Sequence, residues 1–294
     1  MERSVCWNIT CKCNENCKFC FRFTDNNVLS FKENKIILDN LIKLNAKKIT
    51  WTGGECLLYP HLFDLMKLSH EAGIENILIS NAVLLDKDKI LEIEDFVDYI
   101  TFSIDSTNSK INEKMGRGAN HYKHIKELMD FIRAKTNIKL RVNSLVSKMN
   151  LEDFEKLARV IDKYDVERWK LFKFTPLRGK AIETDQLFDI TDQEYLEATS
   201  IAQKHAPNTR VVICINTNLE DDYLLINPSG DFIVTKDQKD EKICNYKNID
   251  LGKLEGILRQ WVLVEIQTST GTYIRFSTQL LNVVVSQKQL KNYL

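Results

Sequence analysis

Apolar and polar positions follow two different periods along the first 175 or so residues of the chain. Apolar residues recur at helical spacing near 32–45, 60–73, 86–96, 120–135 and 150–164. Between these stretches lie six short runs rich in β-branched and aromatic residues: SVCWNIT (4–10), KKITWT (47–52), ENILISN (75–81), DYITFSID (98–105), IKLRVNSLV (138–146) and RWKLFKFT (168–175). Strands that alternate with helices predict a parallel sheet with crossover helices.

The number of β/α units determines the expected architecture. Six units are too few for a closed eight-stranded barrel, so we predict an α/β fold with a partial (β/α)6 barrel over residues 1–208. After a helix near 191–205, TRVVICI (209–215) predicts a strand, and DYLLI and DFIVT joined by NPSGD predict a hairpin. We expect residues 209–294 to form a C-terminal extension that covers the barrel.

The stretch CNENCKFCF contains three cysteines with the spacing C-x3-C-x2-C, directly after the first predicted strand. These are Cys13, Cys17 and Cys20. A closed zinc site uses four ligands, and a complete iron–sulfur cluster usually has four thiolates. Three thiolates would leave one iron of a [4Fe–4S] cluster open to another ligand. The alternative is a zinc knuckle that is completed by Cys6, Cys11 or Cys56.

Composition and charge exclude several classes of protein. The 294 residues are 44% hydrophobic and carry 41 basic and 41 acidic side chains, so no global basic field exists to bind a nucleic-acid polymer. No window is apolar enough to span a membrane, and the N-terminus lacks a signal-peptide pattern. We expect a cytoplasmic monomer without membrane or nucleic-acid partners, in which clustered cysteines serve metal binding or catalysis.

Several predicted strands have one polar face, which is unusual for a parallel sheet. Cations lie on or beside these faces, and a dry core would not accept them without an anionic partner. A triphosphate is the simplest such partner, although solvated strand ends would also explain the individual side chains. The residues of this polar set are Lys48, Thr50, Thr52, Ser103, Asp105, Arg141, Asn143 and Lys170, with Arg117 in the following GRG (116–118).

The cysteine spacing, the aromatic Phe21 after it and the TGGE at 52–55 resemble the radical S-adenosylmethionine (SAM) superfamily. The resemblance implies a [4Fe–4S] cluster held by the three cysteines, with SAM on its open iron. An electron from the cluster cleaves SAM to a 5′-deoxyadenosyl radical. Implied SAM-binding residues are Phe19, Gly53, Gly54, Glu55, Asn81, Ser103 and Asn143.

Further blocks, KITWTGGE, RVNSLV, ERWKLF and DDYLLI, resemble the viperin family within that superfamily. Viperins convert a ribonucleoside triphosphate to its 3′-deoxy-3′,4′-didehydro form, which terminates viral RNA chains. The resemblance implies CTP or UTP as substrate, flavodoxin or ferredoxin as electron donor, and Tyr223 as proton donor. Implied substrate ligands are Lys48, Thr50, Thr52, Arg117, Arg141, Lys170, Tyr223 and Lys242.

Two other functions remain compatible with the sequence. The cations fit a radical SAM enzyme acting on another anionic metabolite equally well, because only the WK and DxYLI blocks favour a viperin-like enzyme. A zinc-stabilised binding module is the non-enzymatic alternative.

Overall fold

The structure is a computed structural model that describes residues 3–24, 27–214, 224–236, 239–260, 264–267 and 273–276. Its strands are β1 Ser4–Asn8, β2 Lys48–Thr52, β3 Glu75–Ser80, β4 Tyr99–Ser103, β5 Lys139–Val146, β6 Arg168–Lys173, β7 Val211–Cys214, β8 Leu224–Ile226, β9 Asp231–Lys236, β10 Lys239–Asn245, β11 Val264–Gln267 and β12 Tyr273–Phe276. Its α-helices are α1 Phe31–Lys43, α2 Leu62–Glu71, α3 Lys87–Ile93, α4 Ser109–Met115, α5 His121–Lys135, α6 Phe154–Ile161, α7 Lys180–Glu183, α8 Asp185–Phe188, α9 Asp192–His205 and α10 Leu251–Gln260.

The described strands form one sheet in the order β10-β9-β8-β1-β2-β3-β4-β5-β6-β7-β12-β11. All neighbours from β8 through β1 to β7 and β12 are parallel, and the pairs β8–β9, β9–β10 and β11–β12 are antiparallel. Side chains from β1 to β6 and β8 line a single cavity, so the sheet curves around it. This arrangement is a partial barrel.

Alternation along the strands separates the core from the cavity. In β1 and β2 the burial pattern alternates strictly, with buried Trp7 and Trp51 on the outer face and polar residues on the inner face. The two indole rings are paired in register and stack at 5.0 Å between ring centroids. The outer face packs under the helices, for example against Leu38 and Leu41 of α1. The inner face is left for polar side chains.

Capping boxes in the sequence determine where helices α1 and α9 begin. Ser30 accepts a hydrogen bond from the backbone N–H of Glu33, whose carboxylate accepts one from the Ser30 backbone. Thr191 and Glu194 repeat this arrangement at the start of α9. Each box satisfies backbone donors that a helix start otherwise leaves without partners.

All six predicted barrel strands are confirmed, and so is the hairpin, which β8 and β9 form. The strand predicted at 209–215 pairs in parallel with β6 as β7, so the sheet continues across residue 208, where we expected the extension to begin. Helices α4, α7, α8 and α10 and strands β10 to β12 were not predicted. Within the described part of the chain, no helix is long and apolar enough to cross a membrane.

Candidate active site

The three cysteines lie in the loop that leaves the carboxyl end of β1, and neighbouring backbone holds this loop in place. The backbone N–H groups of Gly54 and Glu55 donate to the carbonyls of Thr10 and Lys12 at 2.7 and 2.8 Å. On the other side, the N–H of Lys18 donates to the carbonyl of Met115 at 2.9 Å. The loop is therefore fixed by the ends of β2 and α4.

Two glycines are required by this close packing. A Cβ atom on Gly54 would lie 2.2 Å from the carbonyl oxygen of Lys12, and one on Gly116 would lie 2.4 Å from that of Asn16. Gly116 also has φ +89°, which side-chain-bearing residues rarely adopt. Gly54 thus lets the end of β2 approach the cysteine loop, and the expected contact of Gly53 and Gly54 with SAM stays a prediction.

A buried network of charges joins the cysteine loop to β4. The Nε of Arg117 donates to Asp105 at 2.7 Å, and its Nη1 donates to Glu15 at 3.0 Å. The three side chains are 7%, 2% and 7% exposed. Burial raises the pKa of Glu15, but the His121 hydrogen bond and the Arg117 charge outweigh this effect and lower its pKa overall. Arg117 thus balances two carboxylates, and its role as a ligand of the triphosphate or ribose stays a prediction.

Glu55 connects the ends of β2 and β3. Its carboxylate accepts hydrogen bonds from Leu57 N–H at 3.2 Å, Ser80 hydroxyl at 3.0 Å and Asn81 N–H at 2.8 Å. Burial raises the pKa of Glu55, although the three hydrogen bonds oppose this effect. The Asn81 amide lies 3.8 Å from the sulfur of Cys13. Glu55 and Asn81 therefore border the cysteine loop rather than the cavity.

The donor set of the loop fits a cluster better than a single metal ion. In the described ranges, no three His, Cys, Asp or Glu side chains converge closely enough to hold one ion. Each thiolate of a [4Fe–4S] cluster binds a different iron, so its cysteines need not meet at a point. Cys56 is fully buried and donates to the carbonyl of Ile79 at 3.2 Å, which argues against it as the fourth ligand of a zinc knuckle. All eight cysteines are free thiols.

Beside this loop lies a cavity of about 310 Å³. Predicted site residues on its wall are Phe19, Cys20, Thr50, Thr52, Gly53, Ser103, Arg117, Asn143 and Lys170. Asp105 of the polar set, Cys6 and Phe21 also line the cavity. The sequence indicated no site role for the further lining residues Asn8, Arg22, Phe23, Ile77, Ile79, Thr101, Ser144, Leu145, Arg168, Phe172, Arg178 and Leu225. Alternation would have found Thr101 and Arg168, which lie two residues before Ser103 and Lys170 on the same strand faces.

Three expected substrate ligands do not line the cavity. Lys48 is on the predicted face of β2 but at the amino end of the strand, and its Nζ lies 3.2 Å from the carboxylate of Glu75. The guanidinium of Arg141 stacks on the Tyr99 ring at 3.4 Å and donates to Glu167 at 2.6 Å.

Lys242, the third of these residues, forms a 2.6 Å ion pair with Asp231 on the neighbouring strand and is largely exposed. Each of these three charges has a carboxylate partner in the structure, and their role as substrate ligands stays a prediction. Tyr223, the expected proton donor, lies outside the described residues.

Arg178 adds a cation to the wall of the cavity. Its guanidinium lies 4.4 Å from the ring centroid of Phe23 and 5.8 Å from that of Phe21, and it pairs with Asp240 of β10 at 3.2 Å. Burial lowers the pKa of Arg178, and the Asp240 charge opposes this effect. Arg178 therefore links the loop after β6 to the cysteine loop and to the C-terminal hairpin.

Comparison with known proteins identifies the class of enzyme. Residues 7–161 match the model of the radical SAM superfamily. The SuiB protein of Streptococcus suis, solved bound to S-adenosylmethionine, has the same fold, with a TM-score of 0.67 at 16% identity over 87% of this chain and 66% of its own. The chain belongs to the radical SAM superfamily, whose members use a [4Fe–4S] cluster and SAM.

Sequence relatives narrow the family. The chain is 30% identical over 242 residues to the S-adenosylmethionine-dependent nucleotide dehydratase of Flammeovirga pacifica, covering 78% of this chain and 81% of that protein. It is 28% identical to the same type of enzyme from Lacinutrix mariniflava, covering 78% of this chain and 50% of that protein. Within the superfamily it therefore belongs to the nucleotide dehydratases, which confirms the expected viperin family.

Proposed function

We propose that this protein dehydrates a ribonucleoside triphosphate to its 3′-deoxy-3′,4′-didehydro form. The observation that carries the proposal is the cavity beside the cysteine loop, whose wall combines hydroxyl and amide side chains with Lys170, Arg168 and Arg178. Polar donors of this kind suit a ribose, and cations suit a polyphosphate. The nucleotide dehydratases to which the chain is similar support the same substrate class.

The cluster and SAM together supply, when bound, the radical that removes a hydrogen atom from the substrate. In the proposed reaction the C4′–H bond breaks first, and the C3′–O bond then breaks as the hydroxyl leaves with a proton as water. One more electron completes the C3′–C4′ double bond. Overall, SAM, the nucleotide, two electrons and one proton give methionine, 5′-deoxyadenosine, the didehydro nucleotide and water.

Residues of this chain would bind and orient the reactants. Lys170 is 4% exposed and lies on the cavity wall in register with Asn143, so it would pair with phosphate where little water competes. Thr50 and Thr52 would donate hydrogen bonds from the opposite wall. Phe19, which packs edge-on against Phe188 at 5.7 Å, gives SAM an apolar surface beside Cys20.

The remaining features of the proposal rest on the family resemblance. We propose CTP or UTP as substrate, a flavodoxin or ferredoxin as electron donor, and Tyr223 as proton donor. We further propose a cytoplasmic monomer, consistent with eight free thiols. The product would act as a chain terminator in antiviral defence.

Anaerobic incubation with SAM, dithionite and each of the four ribonucleoside triphosphates tests the proposal. We expect 5′-deoxyadenosine to form faster with the correct nucleotide, together with a nucleotide lighter by one water. SAM cleavage that no nucleotide stimulates would contradict the substrate assignment and favour another anionic metabolite.

A further inference from the structure

The hydroxyl of Thr101 has no hydrogen-bond partner among the described residues, although its side chain is only 1% exposed. Thr101 lies in the middle of β4, the fourth strand of the barrel, and lines the cavity. A buried polar group without a partner costs free energy, so native structures retain few of them without a reason. The position of Thr101 therefore points to a ligand.

Other buried hydroxyls of this chain have the partners that a structural role requires. Ser144, one strand away, donates to the carbonyl of Ile104 and accepts from the indole of Trp169 at 2.8 Å. Thr199 of α9 donates to the carbonyl of Leu196 at 2.8 Å. Thr101 lines the cavity as Ser144 does, but its hydroxyl has neither kind of contact.

The residues around Thr101 indicate the charge of that ligand. In the register of the sheet, Thr101 pairs with Arg141 of β5, and Arg141 pairs with Arg168 of β6. Arg168 and Lys170 lie two residues apart on the same face of β6, and both line this cavity. A hydroxyl donor on the same cavity wall as Arg168 and Lys170 suits the oxygen of an anion.

We propose that Thr101 is a substrate ligand that donates its hydroxyl hydrogen to a phosphate oxygen in the cavity. This inference rests on the proposed function and deepens it, because it assigns to one residue the recognition of the polyphosphate. No protein group among the described residues accepts this hydrogen atom, and a phosphate oxygen in the cavity would accept it.

The substitution Thr101→Val tests this inference because valine has nearly the same shape and lacks the hydroxyl. Binding of CTP, CDP and CMP to the anaerobic holoenzyme is measured by calorimetry, and thermal unfolding is measured without nucleotide. We expect the dissociation constant for CTP to rise roughly 10- to 150-fold, the loss expected for one hydrogen bond to a charged group. The unfolding midpoint should stay the same or rise, because the variant loses an unsatisfied group.

Two further variants serve as controls. Thr101→Ser keeps the hydroxyl and should retain most of the CTP affinity. Thr199→Val removes a buried hydroxyl that has a structural partner outside the cavity lining, so it should lower the unfolding midpoint and leave CTP binding unchanged.

The outcomes separate this inference from the proposed function. If the wild-type protein binds CTP and Thr101→Val binds it equally well, the inference is overturned and the proposed function stands. If Thr101→Val lowers the unfolding midpoint as Thr199→Val does, the hydroxyl is structural and the inference is also overturned. If the wild-type protein does not bind CTP, the same measurements are made with UTP, ATP and GTP, and a protein that binds none of the four triphosphates contradicts the proposed function itself.

Discussion

Arg117→Met should destabilise the protein strongly and should release iron, although Arg117 is not a metal ligand. The substitution removes the guanidinium shared by Asp105 and Glu15, whose side chains are 2% and 7% exposed, and leaves Glu15 with His121 at 3.3 Å. Removing one partner of a buried ion pair typically costs about 3–5 kcal/mol, because the remaining charge stays buried without compensation. Here two carboxylates are affected, and one of them lies within the cysteine loop.

The free energy of unfolding is measured by urea denaturation of the iron-free protein, and iron is counted after anaerobic reconstitution. Arg159→Met is a matched control, because Arg159 pairs with Glu155 on the solvent-exposed face of α6 and should matter little. Asp105→Asn in the Arg117→Met background should recover part of the lost stability, since it removes one uncompensated charge and keeps an acceptor for Leu145 N–H. If Arg117→Met has wild-type stability and iron content, the buried network does not hold the loop.

Three further predictions concern the loop and the cavity. Gly54→Ala should lower the iron content, because its Cβ would lie 2.2 Å from the Lys12 carbonyl, whereas Gly118→Ala meets nothing within 4 Å and should match the wild type; equal iron in both variants would contradict this packing. Replacing any cysteine of the triad with Ser should abolish the iron–sulfur absorption, while Cys11→Ser should keep it; loss of iron from Cys11→Ser would show a wrong ligand assignment. Lys170→Met should keep the cluster and weaken CTP binding about 30-fold or more, since a charge-assisted contact in a secluded cavity is lost; calorimetry that finds unchanged affinity would locate the phosphates elsewhere.

Alternation along the strands made the barrel and part of its lining predictable. Residues two apart on a strand share a face, so Thr50 and Thr52 on β2, like Ser103 on β4, could be assigned to the cavity from sequence alone. The same rule also includes Thr101 and Arg168, which lie two residues before Ser103 and Lys170. The sequence therefore contains the information that assigns both residues to the cavity.

The carboxylate partners of these cations could not be predicted in the same way. Arg117 meets Glu15 across 102 positions of sequence, and Lys242 meets Asp231 through the pairing of β9 with β10. Arg141 lies on the predicted face but turns toward Glu167, which follows α6 and precedes β6. Each outcome depends on which carboxylate the fold brings within reach, and residue spacing within one element carries no such information.

Hydrogen transfer from the substrate tests the central claim most directly. The holoenzyme is incubated anaerobically with SAM, dithionite and CTP that carries deuterium at C4′, with CTP deuterated at C3′ as the control. We predict that 5′-deoxyadenosine gains one deuterium from the 4′-labelled nucleotide and none from the 3′-labelled one, while the nucleotide product loses one water. If the 4′-labelled substrate is consumed but the 5′-deoxyadenosine contains no deuterium, the result contradicts abstraction at C4′ and the dehydration derived from it.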